Sequence, residues 1–476
     1  MSSTNKKDSC DYRGNSIPLI TISRSPSPSV RRRSESNPSE TEDEDFDQNG
    51  SSLRPFLSNT SDTGKRKGLK GFLVEGGLGQ WLFTTSTGWQ VYVGILVLWL
   101  GGCGIGLTIM NRIILWTGVY KFPYPLATTF LEMLLTHGLL LASAALTRLF
   151  NSCLVGAGLS GMIAPSHKLQ SQSAPGFRGP GKRTGFLPTL ARWTSSNSGG
   201  IAGGGLFEFD MQVVRQVLPL AVIYVAKLIL SNLSFAYAQL PIYVLARIGI
   251  VPISLILTAV LGNSPHSVAT ISSVLTGTIT LFVAAVRPHI RVTWESIVAG
   301  VFSSLFVALY PIQLQRTYKT LVASLVPQGD LLTSFTPYSQ NASATREEAR
   351  ATWRLMHYTS LLSILIFFPI LLLSGEVGNI SRNCYFLDVF FHWLMVTCGG
   401  LGSWAVFFGT VLLTKATSPL TTTFLFIPRA AFILPIMAKF KMPAYSWVGI
   451  IMCWASCAWF LMGRMRDGRS GERLRS

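Results

Sequence analysis

Ten long apolar runs, parted by polar segments, constrain this chain more than any other feature. They fall near 90–110, 123–148, 216–237, 241–262, 267–286, 294–314, 354–374, 389–413, 419–438 and 444–463. At a helical rise of about 1.5 Å per residue, each is long enough to cross a hydrocarbon core about 30 Å thick. A backbone in lipid must satisfy its own N–H and C=O groups, and a helix does so within one segment. The reading is an all-α polytopic membrane protein with about ten transmembrane helices.

Composition supports that solvent. Of 476 residues, 48% are hydrophobic and only 13% charged, where a soluble domain carries about 25%. Mean hydropathy is +0.38. The deficit follows from cost, because an ionised side chain at mid-membrane is unfavourable by roughly 2.5–3.5 kcal/mol. The net charge of +18 would suggest nucleic acid in a soluble protein. Here the basic residues cluster between apolar runs, so they are assigned to the flanks of membrane spans, with no nucleic-acid partner. Cys10, Cys103, Cys153, Cys384, Cys398, Cys453 and Cys457 are scattered and lack histidines at zinc spacing; they read as packing residues, with no metal and no cofactor expected.

Residues 1–75 are rich in Ser, Pro and charge, running from Arg31–Arg33 into an acidic stretch at Glu40–Asp47. Such a segment buries too little apolar surface to offset its ordering entropy and is expected to be disordered. Lacking a signal-peptide pattern there, the chain is expected to use its first apolar run as signal anchor. The membrane-spanning region runs over 90–465, interrupted by polar insertions at 150–212 and 316–352, and ends in a basic tail at 466–476. Lys65, Arg66, Lys67 and Lys70, both insertions and the tail fall on one side if the span count is even. The positive-inside rule makes that side cytosolic and places both termini there, although Arg287, Arg291, Lys439 and Lys441 lie in the opposite loops.

Ionisable residues inside spans carry the functional signal, since each must face an interior or a cavity. The candidates are Arg112, Glu132, His137, Lys227, Arg247 and Arg429. Arg112 sits near the end of its span, and Lys227 has Glu132 as an available partner. Arg247 and Arg429 lie deep in the fourth and ninth runs, equivalent places in two five-helix halves. Internal repeats with a site at their interface are a common transporter plan. Two such guanidiniums would form a permanently charged, bidentate clamp for phosphate oxygens. One intramembrane carboxylate is too few to neutralise the cations, so an anionic ligand is expected to do so. No metal-spaced histidines, Ser-His-Asp arrangement or paired intramembrane carboxylates suggest catalysis. Gly101-Gly-Cys-Gly104 lacks the strand of a dinucleotide fingerprint and reads as helix packing.

An ordered series of segments resembles the sugar-phosphate and nucleotide-sugar translocators, GDP-fucose transporters above all. It comprises Asn111-Arg112, Phe122-Pro-Tyr-Pro125, Thr129-Phe130, Arg215-Gln-Val-Leu-Pro-Leu220, Ser231-Asn232-Leu233, Tyr243-Val-Leu-Ala-Arg247, Arg354-Leu-Met-His-Tyr358, Phe368–Glu376, Gly399-Gly400 and Thr417-Ser-Pro-Leu-Thr421. The likeness covers about 90–150 and 213–465. It implies the drug/metabolite transporter fold, ten helices as two inverted five-helix repeats. It also implies exchange of a cytosolic nucleotide sugar, of GDP-fucose or GDP-mannose type, for lumenal nucleoside monophosphate across the Golgi membrane or endoplasmic reticulum. The residues it places on or near ligand are Arg112, Asn232, Tyr243, Arg247, Tyr358 and Arg429.

Two departures bear on specificity. Where GDP-sugar transporters carry a Phe-Tyr-Asn-Asn type motif, this chain has His357-Tyr358-Thr359-Ser360, replacing amides with hydroxyls. Where a Gly-containing motif ends in Lys, it has Ile427-Pro428-Arg429. A sugar-phosphate/phosphate exchanger, and a scaffold that kept the fold without transport, remain the alternatives. A homodimer is an open possibility for assembly.

Overall fold

The computed structural model describes residues 77–116, 122–165, 209–262, 266–286, 294–325, 337–383 and 390–473. The N-terminal 1–75 segment lies outside them, as does most of the 150–212 insertion. Among the described residues there is no strand, and ten helices are long and apolar enough to cross a membrane: Thr87–Leu115, Pro125–Leu149, Met211–Tyr237, Leu240–Gly262, Val268–Ala285, Trp294–Ser324, Glu348–Leu373, Phe390–Ala416, Pro419–Met437 and Ala444–Arg464. The protein is an all-α polytopic membrane protein. Large apolar side chains such as Leu98, Ile256, Val260 and Ile279 stand exposed. In water they would be a liability; against lipid tails they match their surroundings.

The second insertion, expected at 316–352, is shorter than the polarity of the sequence suggests. The sixth helix runs on to Leu325, carrying Arg316 and Lys319, and the seventh begins at Pro337. Their ends continue past the apolar segment, because a helix is limited by hydrogen bonding rather than by hydropathy.

Helix starts follow local chemistry. The Asp210 side chain accepts from the Gln212 N–H at 3.0 Å, opening the third span, while Ser267 and Ser418 do the same for the fifth and ninth. Two spans are broken, each within a turn of a proline. The fourth divides into Leu240–Ala246 and Ile250–Gly262, the ninth into Pro419–Phe424 and Phe426–Met437. Pro252 and Pro428 lack the N–H that would reach the carbonyls of Ile248 and Phe424, four residues back. In the fourth span the backbone tightens into three-residue turns, with Ile248 N–H on Leu245 O at 3.2 Å and Ile250 N–H on Arg247 O at 3.1 Å.

The packing pairs are ordered. The third span lies along the sixth and the first along the eighth; the second packs on the eighth, the third on the seventh. The fifth pairs with the tenth, the fourth with the ninth and the second with the seventh. Tyr224, Tyr310, Tyr358 and Phe407 sit in one buried cluster, and Ile250, Leu281, Ile427, Cys453 and Phe460 in another.

Candidate functional site

Between these helices lies a cavity of about 190 Å³, lined by the first, third, fourth, sixth, eighth and ninth spans. Both breaks border it: Arg247 and Ile250 flank the first, Leu425 and Phe426 form the second. Pro311 also lines it, together with Val307, whose carbonyl that proline leaves without a helical partner. Interrupted membrane helices are tolerated where irregular backbone is covered by protein or faces a cavity.

The lining contains Lys227, Arg247 and Arg429 and, among the described residues, no acidic side chain. Arg247 donates to the Tyr243 hydroxyl one turn earlier on its own span. Its guanidinium carbon lies 4.8 Å from the Tyr243 ring centre and 5.9 Å from that of Phe426, on the ninth span. Its Nε is buried without a hydrogen-bond partner among the described residues. Arg429 donates to Thr108 Oγ1 at 2.5 Å. Its guanidinium lies against Gly104, where an added Cβ would stand 2.8 Å from Nη1 and 2.9 Å from Cζ. Gly104, expected to serve helix packing, makes room for that charge.

The six residues singled out by sequence divide into two sets. Arg247, Arg429, Tyr243 and Asn232 all line the cavity, with Asn232 Nδ2 donating to Thr129 Oγ1 at 2.5 Å. Arg112 and Tyr358 do not line it. The residue before Arg112, Asn111, does, and its Oδ1 is buried without a donor among the described residues. Tyr358 is fully buried, and its hydroxyl accepts from the Asp210 N–H at 2.9 Å. It therefore joins the start of the third span to the seventh. The neighbouring His357, Thr359 and Ser360 are also buried outside the cavity lining, with Ser360 Oγ 2.9 Å from His137 Nδ1.

Lys227 needs a correction. It does not pair with Glu132; its ammonium lies 4.3 Å from the ring centre of Tyr310 and 5.3 Å from that of Tyr224. Sequence reasoning missed both tyrosines. Tyr224 stands three residues before Lys227 on the same helix, a spacing that puts them on one face. Tyr310 lies on the sixth span, and nothing local signals it.

Fold and site thus define a class: an all-helical polytopic membrane protein with a cationic cavity framed by two interrupted helices. No protein-family model matches the chain. It is similar to GDP-fucose transporter 1 of Dictyostelium discoideum, 26% identical over 261 residues, 54% of this chain and 63% of that protein. The GDP-fucose transporter of Caenorhabditis elegans is 27% identical over 225 residues, 46% of this chain and 54% of its own. GDP-fucose transporter 1 of Mus musculus is 25% identical over 216 residues, 45% and 52% of the two chains. The chain thus spans about half to under two thirds of the length of these curated relatives. One solved structure superposes on 82% of the chain with a TM-score of 0.42 and 14% identity, too distant to bear on the fold.

Proposed function

We propose that the chain is a nucleotide-sugar antiporter, of GDP-fucose or GDP-mannose type, exchanging cytosolic nucleotide sugar for lumenal nucleoside monophosphate. The observation that carries this reading is the cavity whose lining holds three cations and, among the described residues, no acid. Uncompensated charge inside a membrane is costly, and a phosphate-bearing ligand supplies the missing anion through charge-assisted hydrogen bonds. Arg247 and Arg429 are its phosphate clamp; Tyr243 and Asn232 face the rest of the ligand. The similarity to GDP-fucose transporters of several organisms supports the substrate class, and a relative from Drosophila melanogaster named as a Golgi protein supports the compartment. Arg112 and Tyr358 act behind the wall rather than on the ligand.

The lining spans support a two-repeat architecture. First, third and fourth become sixth, eighth and ninth when five is added, and the principal packing pairs obey the same exchange. Inverted repeats meeting at a midplane site are the plan of many secondary transporters. The cavity is smaller than the roughly 300–1,000 Å³ of drug-sized sites, so a nucleotide sugar enters as the two halves part. Both termini face the cytosol in this arrangement.

Uptake of labelled nucleotide sugars into proteoliposomes preloaded with GMP, UMP, CMP or phosphate tests the proposal. GMP-dependent uptake of GDP-fucose or GDP-mannose is expected, and Arg247→Ala or Arg429→Ala should reduce it at least 100-fold while leaving the folded yield unchanged, on the scale of losing a charge-assisted contact of about 3 kcal/mol. Uptake supported only by phosphate would make the protein a sugar-phosphate exchanger. No uptake of any kind by folded protein would leave a scaffold.

A further inference from the structure

Lys227 has no place in the two-arginine clamp, yet it lines the same cavity. Its surroundings are unusual for a membrane cation. Its ammonium rests on the faces of Tyr310 and Tyr224, whose ring centres are 5.3 Å apart at an interplanar angle of 42°. Phe407 of the eighth span braces Tyr224 edge-on at 5.3 Å. A ring face attracts a cation through its quadrupole and leaves the N–H groups free. Among the described residues Lys227 makes no ion pair or hydrogen bond, so all three donors remain for a ligand. The Tyr310 hydroxyl, also in the lining, is buried without a partner among those residues.

The cations also stand on different walls. Arg429 is anchored on the first span through Thr108 and Gly104, and Arg247 lies over Phe426, three residues before Arg429. Lys227 is anchored where the third, sixth and eighth spans meet. A ligand with one phosphorus centre is held by the arginine wall. A diphosphate, its charge divided between two centres, can engage both walls.

We propose that Lys227, held ready by the Tyr310–Tyr224 cage, is the ligand of a second phosphate and makes this a site for diphosphate-linked compounds over monophosphates. The proposal rests on the transport reading for its nucleoside part, but inorganic probes separate the two. Affinities of the purified full-length chain are measured by ligand-induced thermal shift at pH 7.5 for GDP-mannose and GMP, a pair of dianions at that pH, and for pyrophosphate and orthophosphate. The wild type should prefer GDP-mannose to GMP and pyrophosphate to orthophosphate. Lys227→Met should weaken GDP-mannose and pyrophosphate at least tenfold and GMP and orthophosphate less than threefold. Lys227→Arg should recover most of the GDP-mannose affinity, a rescue that general misfolding would not allow. Tyr310→Leu should weaken GDP-mannose, and adding it to Lys227→Met should cost little more, because the ring acts through the ammonium.

Equal weakening of both members of each pair, or none, overturns the proposal. A wild type that prefers pyrophosphate but binds no nucleotide leaves Lys227 in its role and removes the nucleotide-sugar reading. A wild type that binds none of the four removes both.

Discussion

Two helix pairs show opposite uses of small and proline residues. The fifth and tenth spans are unbroken and pack as a close seam. A Cβ on Gly449 would stand 2.8 Å from Ala284 N and 2.9 Å from Thr280 O, both backbone atoms. Ser456 donates to Ser273 O at 2.6 Å, and Thr280 Oγ1 lies 3.3 Å from Cys453 Sγ. Such contacts bring backbones close, the means by which helices associate without a hydrophobic drive. The fourth and ninth spans are each broken beside a proline and carry the two arginines. Where their two pieces pack, Thr423 Oγ1 donates to Ser254 Oγ at 2.8 Å. Of the two pairs, only the broken one lines the cavity with charge. On the proposed transport reading, the first pair stays together while the second holds the ligand and yields.

The sharpest way to break this comparison is to overfill the seam. Gly449→Val places atoms against backbone that cannot move aside, so a destabilisation of about 3 kcal/mol or more is expected. Melting of the detergent-solubilised protein, followed by size exclusion, should show it as a large drop in midpoint and folded yield. Uptake per folded molecule should stay near wild type. Normal stability with altered uptake would mean that the fifth and tenth spans also move during transport.

A glycine substitution in the other region should behave in reverse. At Gly104 the added methyl meets the tip of a flexible side chain, the Arg429 guanidinium. Gly104→Ala can therefore be accommodated by displacing that charge, with little change in melting. Nucleotide-sugar uptake should fall about tenfold or more, since an error of ~1 Å in a positioning group has effects of this order. Unchanged uptake would show that Arg429 reaches its ligand from elsewhere.

Much of this division is legible in the amino-acid sequence. Every span boundary falls close to its hydropathy edge, apart from the polar extensions of the sixth, seventh and tenth helices, the last running to Arg473. Arg247 and Arg429 stand out because a charge deep in an apolar run demands a cavity or a partner. The breaks themselves are not legible, since Pro219, Pro311, Pro369 and Pro435 lie inside continuous helices while Pro252 and Pro428 stand beside interruptions. What also stays hidden is the facing of uniformly apolar helices. Lipid and protein interior are both apolar, so the stripe that orients a soluble helix is absent. Tyr358 illustrates this: on a helix with His, Thr and Ser around it, it sits in the core and bonds to Asp210, not in the cavity. Lys227 shows the converse, because its partner Tyr310 is 83 positions away in sequence, at the contact of the third and sixth spans.

The second and seventh spans test whether the comparison has a third term, and the effect expected there is the smallest. They are joined at one end by Glu376, just beyond the seventh span, whose Oε2 accepts from the Ala127 N–H at 2.8 Å and whose Oε1 accepts from the Leu126 N–H at 3.4 Å. These are orphan donors at the start of the second helix, which also favours negative charge. Burial nevertheless pushes the Glu376 carboxyl above its ordinary value of 4.5, against the pull of those two bonds. With the folded value raised, the folded state holds more proton than the unfolded chain in the window above 4.5. Stability from this group is therefore complete below that window and declines as pH rises through the folded value. The melting midpoint should fall across that range, and Glu376→Gln, which cannot ionise, should flatten the slope. An identical slope in both proteins would assign the pH dependence to another group. If uptake is unchanged in Glu376→Gln, the second and seventh spans belong with the seam. If uptake rises as the latch loosens, they belong with the pair that yields.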